Sequence, residues 1–101
     1  MELLGISKVN KSNRCVLPKK MISLLQLKPN DVIYFVKRKK KIYITRRQEE
    51  NNIPVFVRTK YRIFLPIDLF PKPTGSNDSY VVFFRTKENE VIVDKLIINT
   101  E

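Results

Sequence analysis

One short pattern is written twice in this chain. Residues 13–21 read NRCVLPKKM and residues 61–69 read YRIFLPIDL, so Arg, two apolar residues, Leu and Pro recur after 48 positions. Each copy fixes a boundary, because Pro has no N–H to give to a sheet ladder and ends strand pairing at Pro18 and Pro66. The match extends outward. At the same offset Met21 falls on Leu69 and Phe35 on Phe83; one residue more places Ile42 on Val91 and Ile44 on Val93. Two Leu-Pro steps alone are an ordinary coincidence in a strand-rich chain. An offset that also preserves the order of strand, strand, Leu-Pro, spacer and hairpin reads as two copies of one unit.

The first copy has two short strand candidates, ISKV at 6–9 and RCVL at 14–17, joined by NKSN, whose Asn and Ser suit a turn. Pro18 then opens a helix, KKMISLLQL, in which Met21, Leu24 and Leu25 share one face over about two turns. Pro29-Asn30-Asp31 stops it. DVIYFV and KIYITR flank KRKK as a hairpin, with Ile42 and Ile44 alternating against Tyr43 and Thr45. After the polar segment RRQEENN the order returns: PVFVRT, a KY turn, RIFLP, and a hairpin of YVVFFR and EVIVDK around TKEN. The helix does not return in full, since Pro71, Pro73 and Gly75 exclude more than one turn after Pro66. The expected organisation is mainly β: a basic first half at 1–47, a linker at 48–53 and a degenerate second half at 54–101, together one domain. A unit of about 45 residues has too little interior to stand alone, which favours two halves sharing a core.

Charge then bounds the function. Twenty Lys and Arg stand against ten Asp and Glu, net +10, which favours a polyanionic partner. Thirteen basic and four acidic residues lie in 1–50, against seven and six in 51–101, so the first half carries +9 of that charge. There is no His, one Cys and no Gly-rich phosphate loop, so neither an acid–base enzyme, nor a metal centre, nor a cofactor or small-molecule site is expected. The longest apolar runs are too short to span a bilayer, and one Cys cannot close an internal disulfide; both fit a cytoplasmic protein with no membrane partner.

The stretch GISKVNKSNRCVLPKKMISLLQLKPNDVIYFVKRKKKIYI, Gly5 to Ile44, resembles the AbrB-type swapped-hairpin family, which includes SpoVT-like regulators and the N-terminal domains of MazE-like antitoxins. Residues 55–95 resemble it more weakly. In that family two copies interleave their hairpins into one β-barrel, so the resemblance implies a swapped-hairpin barrel made by one chain, either a monomeric pseudo-dimer or a homodimer. It implies double-stranded DNA as the partner, transcriptional regulation as the role, and localisation at the nucleoid. Carried over by position, the family's DNA contacts fall on Lys8, Lys11, Arg14, Lys19 and Lys20, and in the second copy on Arg58, Lys60 and Arg62. Ile22 and Ser23 stand where the family often has basic helix residues, and Ile67 and Asp68 replace the equivalents of Lys19 and Lys20.

The residues support these roles physically. Arg14 and Arg62 open strands beside turns, where a forked guanidinium grips phosphate or reads guanine. The lysines suit phosphate, which adds affinity without sequence information. Asn13 is placed to reach a base edge, although an Asn of this kind more often simply makes the turn. The run Lys37, Arg38, Lys39, Lys40, Lys41 supports two readings, a secondary phosphate clamp or a solvated hairpin tip that blunts a strand edge. Tyr34, Phe35, Phe64, Phe83 and Phe84, set among Val and Ile, are expected to be core, as is Cys15. Three rivals stay open: a sequence-nonspecific, chromatin-like DNA organiser, an antitoxin-like protein-interaction module, and an RNA-binding barrel.

Overall fold

The structure, a computed structural model, describes residues 1–73, 75 and 78–98. Among these residues eight strands, one short α-helix and one 3-10 turn follow in order: β1 (Glu2–Val9), β2 (Arg14–Val16), α1 (Lys19–Leu25), β3 (Val32–Arg38), β4 (Lys41–Thr45), β5 (Ile53–Phe56), the 3-10 turn (Thr59–Tyr61), β6 (Arg62–Phe64), β7 (Asp78–Arg85) and β8 (Val91–Ile98). The architecture is mainly β, antiparallel throughout its ladders, with one helix in the first half.

Six strands form one sheet in the order β1-β7-β8-β4-β3-β5, and β2 pairs with β6 in a separate ribbon. The β7–β8 hairpin of the second half therefore lies between β1 and β4 of the first. The β3–β4 hairpin in turn lies between β8 and β5. This scheme maps onto itself when the halves are exchanged, and the registers obey the same offset. Gly5, Ile6, Ser7 and Lys8 face Phe83, Val82, Val81 and Tyr80; 48 residues on, Ile53, Pro54, Val55 and Phe56 face Phe35, Tyr34, Ile33 and Val32. The two remaining cross-half pairs are their own counterparts, with Cys15 opposite Ile63 in the ribbon and Tyr43 opposite Ile92 between β4 and β8.

Irregular backbone follows the same relation. The Asn10 N–H donates to the Arg14 carbonyl (3.0 Å) and the Arg58 N–H to the Arg62 carbonyl (2.8 Å), closing the turns before β2 and β6. The Leu17 N–H reaches the Tyr61 carbonyl (2.9 Å) while the Leu65 N–H reaches that of Asn13 (2.8 Å), so each Leu-Pro step is tied to the other half's turn. After each Pro comes a helical bond: Ile22 N–H to Pro18 carbonyl and Phe70 N–H to Pro66 carbonyl. The first continues into α1. The second stops after one turn, as Pro71 requires.

The core lies between the sheet, the ribbon and α1, and it is built from matched positions. Phe35 and Phe83 are both fully buried, as are Ile33 and Val81, Leu17 and Leu65, and Cys15 and Ile63. The Phe70 ring meets Phe35 edge-on, with centroids 5.9 Å apart. Burial pushes the Cys15 thiol up to about 12, so in the folded chain it is a small apolar core group. Pro18 crosses β1 so closely that a Cβ on Gly5 would lie 2.5 Å from the Pro18 Cβ, which leaves room for no other residue at position 5.

Several boundaries differ from those expected. β1 begins at Glu2, four residues early, because a bulge between Leu3 and Gly5 hides the alternation while turning Leu4 inward. Ile53 belongs to β5, opposite Phe35, and not to the linker. Arg58 and Thr59 lie beyond β5 in the turn before β6, and β8 continues to Ile98. Among the described residues the ladders do not join into one ring: β1 and β5 are the sheet's edges, and Pro18 and Pro66 keep the ribbon to three residues a strand.

The β3–β4 turn places Lys39 and Lys40 at φ 46° and 70°, the left-handed pair of a tight hairpin, where Asn-Gly is the favoured sequence. Two lysines there carry strain of about 1 kcal/mol or more in total. Replacing Lys39→Asn with Lys40→Gly is therefore expected to raise the thermal midpoint by roughly 4–8 °C. A midpoint that stays or falls would show that the turn is unstrained.

Candidate nucleic-acid interface

The β2–β6 ribbon turns Cys15 and Ile63 inward, so the residues on either side of each point outward. Those are Arg14 and Val16 on β2 and Arg62 and Phe64 on β6, with Arg14 opposite Phe64 and Val16 opposite Arg62. A third guanidinium joins them from the turn before β6. The Arg14 Cζ lies 5.4 Å and the Arg58 Cζ 5.0 Å from the centroid of the Phe64 ring. Both are cation–π contacts, and they bring two like charges onto one ring. Among the described residues neither these two nor Arg62 has a carboxylate at ion-pair distance. The Arg14 Nε is buried without a hydrogen-bond partner. Charge is thus gathered on an outer face and left uncompensated.

A groove runs on each side of the ribbon. The one between β1 and β2 is lined by Lys8, Asn10, Arg14, Val16 and Arg62. The one between β5 and β6 is lined by Pro54, Phe56, Arg58, Phe64 and Pro66 among others. These grooves are counterparts under the 48-residue offset, but their chemistry differs. Lys8 is matched by Phe56, Asn10 by Arg58 and Val16 by Phe64. One groove carries three cationic side chains, Lys8, Arg14 and Arg62; the other is largely apolar, with the Arg58 guanidinium at its edge.

Lys8, Arg14, Arg58 and Arg62 therefore come together on this face. Lys8 also makes an exposed ion pair with Asp78 at 3.5 Å, of the kind that contributes little in water. Lys11 and Lys60 are exposed on the turns that precede β2 and β6. Lys19 and Lys20 are exposed on the first turn of α1, in a different groove beside Glu2, Leu4 and Arg85. Lys37, Lys39, Lys40 and Lys41 are exposed at the β3–β4 tip and line neither groove of the ribbon.

Three expectations are corrected. Asn13 does not face a ligand: it is buried at φ 64°, and its Nδ2 donates to the carbonyls of Phe70 (2.7 Å) and Leu65 (3.3 Å). It ties the β1–β2 turn to the one-turn segment after Pro66. Arg38 is not a free member of the tip cluster, since it pairs with Glu90 (3.0 Å) and Glu49 (3.4 Å) and lies over Tyr43. Phe64 is not core; it is 41% exposed, and Phe56, whose type gave no hint of a role, is 60% exposed. Period-two alternation held the signal for both rings, because Phe64 lies two residues from Arg62 on β6 and Phe56 follows the inward-facing Val55 on β5. Arg46 was also hidden, in the polar segment between the halves. Its guanidinium donates to the carbonyls of Leu25 and Gln26 at 3.0 Å each and pairs with Asp31, capping the C-terminus of α1.

Among the described residues there is no cluster of Cys, Asp and Glu suited to a metal ion, and no helix is long and apolar enough to cross a membrane. Comparison with protein-family models, with curated proteins and with solved structures finds no match.

The buried amide of Asn13 gives a direct test of its structural role. Asn13→Ala strands two carbonyls and leaves a left-handed backbone to Ala, an expected loss of about 1–3 kcal/mol. A urea or thermal melt reads this; a change under about 0.5 kcal/mol, the range of an ordinary surface substitution, would return Asn13 to the surface.

Proposed function

We propose that this chain binds double-stranded DNA through the β2–β6 face and acts as a transcriptional regulator, with the two halves as fused AbrB-like copies in a swapped-hairpin arrangement. The observation that carries the reading is the set of uncompensated guanidiniums on Arg14, Arg58 and Arg62, gathered on one exposed ribbon beside Lys8. Among the described residues that charge has the Phe64 ring but no carboxylate beside it, and a polyphosphate backbone replaces its counterions with an entropic gain. Shape supports the same ligand. A two-stranded ribbon with outward-facing side chains fits the major groove, where Arg14 and Arg62, related by the exchange of halves, reach guanine or phosphate. Lys11 and Lys60 on the flanking turns extend the footprint to the backbone. The exchange of hairpins supports the family reading, because it gives one chain the two related half-surfaces that other members obtain from two chains.

The mechanism is electrostatic docking followed by readout at the ribbon. A regulator discriminates among sequences at fixed salt, whereas a chromatin-like organiser with the same cations does not. Selecting sites from random duplexes distinguishes them. Replacing Arg14, Arg58 and Arg62 together with Ala is expected to weaken duplex binding at least ~100-fold near physiological salt. The log–log salt slope should fall by about 0.9 for every phosphate that the variant no longer neutralises. Substituting Lys37, Lys39, Lys40 and Lys41 should retain most of the affinity. The opposite ranking would move the interface to the β3–β4 tip.

A further inference from the structure

The β5–β6 groove differs from its β1–β2 counterpart in a way that duplex binding does not require. Phe56 and Phe64 stand on its walls with 60% and 41% of their surface exposed, between Pro54 and Pro66. Two phenylalanines exposed in one groove form an apolar patch of the kind that marks a binding surface. Their setting limits what that is. Arg58 lines the same groove, and its guanidinium and that of Arg14 sit over the Phe64 ring. Among the described residues no carboxylate lines the groove. A covering group must be flat and apolar at its centre and anionic at its margin. An unpaired nucleotide has both properties, with a base that stacks on aromatic rings and guanidinium planes and a phosphate that the arginines hold. A purely apolar protein surface would leave two guanidiniums stranded at its edge.

We propose that the β5–β6 groove is a binding site for an unstacked base of single-stranded DNA. The base lies against Phe56 and Phe64, and the flanking phosphates lie on Arg58 and Arg14. The asymmetry between the halves then has a use. The β1–β2 side, with Lys8 and Arg14, grips backbone, while the β5–β6 side accepts a base from a melted or unpaired tract. The preferred ligand is a duplex interrupted by a few unpaired residues. This rests on the DNA-binding reading above and adds to it a site and a strand state.

The test compares the full chain on three labelled DNAs at one salt concentration by fluorescence anisotropy, with oligo(U) as an RNA control: a perfect duplex, the same duplex with a short unpaired thymine tract, and oligo(dT). The variants are Phe56→Ala and the more conservative Phe56→Leu, which leave the Phe64 ring under Arg14 and Arg58 in place, each checked for folding by circular dichroism. The expected result is that the wild type prefers the interrupted over the perfect duplex by about tenfold or more. Both variants lose that preference and at least about fivefold of their oligo(dT) affinity, and keep perfect-duplex affinity within about threefold. A 2-aminopurine in the unpaired tract should show stacking with the wild type and not with the variants. Equal binding of both duplexes by the wild type would overturn the base site and leave duplex binding intact. No binding to any of the three DNAs would overturn the duplex reading with it. Tighter binding of oligo(U) than of oligo(dT) would overturn DNA as the ligand in favour of RNA.

Discussion

The structure depends on the interleaving of strands from the two halves in one six-stranded sheet. β3 is paired on one side by its own partner β4 and on the other by β5 of the second half, while β7 stands between β8 and β1. Phe35 and Phe83 occupy matched positions on those two central strands and are fully sealed. Neither half has the strands to cover its own hairpin edge, so each completes the other, and backbone hydrogen bonds and apolar burial are satisfied together. The Leu-Pro steps serve this interleaving: they end the ribbon, bury Leu17 and Leu65, and send Pro18 across Gly5.

Such a core imposes matched geometry on the two halves but leaves the outward positions free. Inward pairs such as Ile33 and Val81 or Cys15 and Ile63 are all buried and apolar, though they differ in volume. Outward pairs are not, and there the halves part company, with Lys8 against Phe56, Val16 against Phe64 and Lys19 against Ile67. The result is one frame with two surfaces, one cationic and one aromatic with arginines at its margin. In the proposed function, docking on duplex DNA and capture of an unpaired base are divided between these two surfaces.

The 48-residue offset, its slip to 49 before the last strand of each half, and the loss of the second helix could all be read from residues, because Pro and periodicity act locally. The pairing of β1 with β7 and of β3 with β5 is not legible that way, since it joins segments distant in sequence and no local pattern encodes it. The bulge at Leu4 broke the alternation that would have shown where β1 begins. Among the site residues, type was a poor guide to role. Asn13, Arg38 and Arg46 look alike as polar surface positions, and all three are engaged in internal bonds. Phe64 looked like core because its neighbours are apolar, although its spacing from Arg62 placed it on the outer face. Position on the strand decided exposure, and side-chain type did not.

The proposed function turns on the β2–β6 face, with its two unlike grooves, as the place where the polyanion binds. Amide chemical-shift mapping of the isotope-labelled protein, titrated with a duplex carrying an unpaired thymine tract, examines this without any substitution. The largest shifts are expected at residues 8–16 and 56–64, spanning both flanks of the ribbon. Shifts centred on residues 37–41 or on α1, with the ribbon unmoved, would refute it.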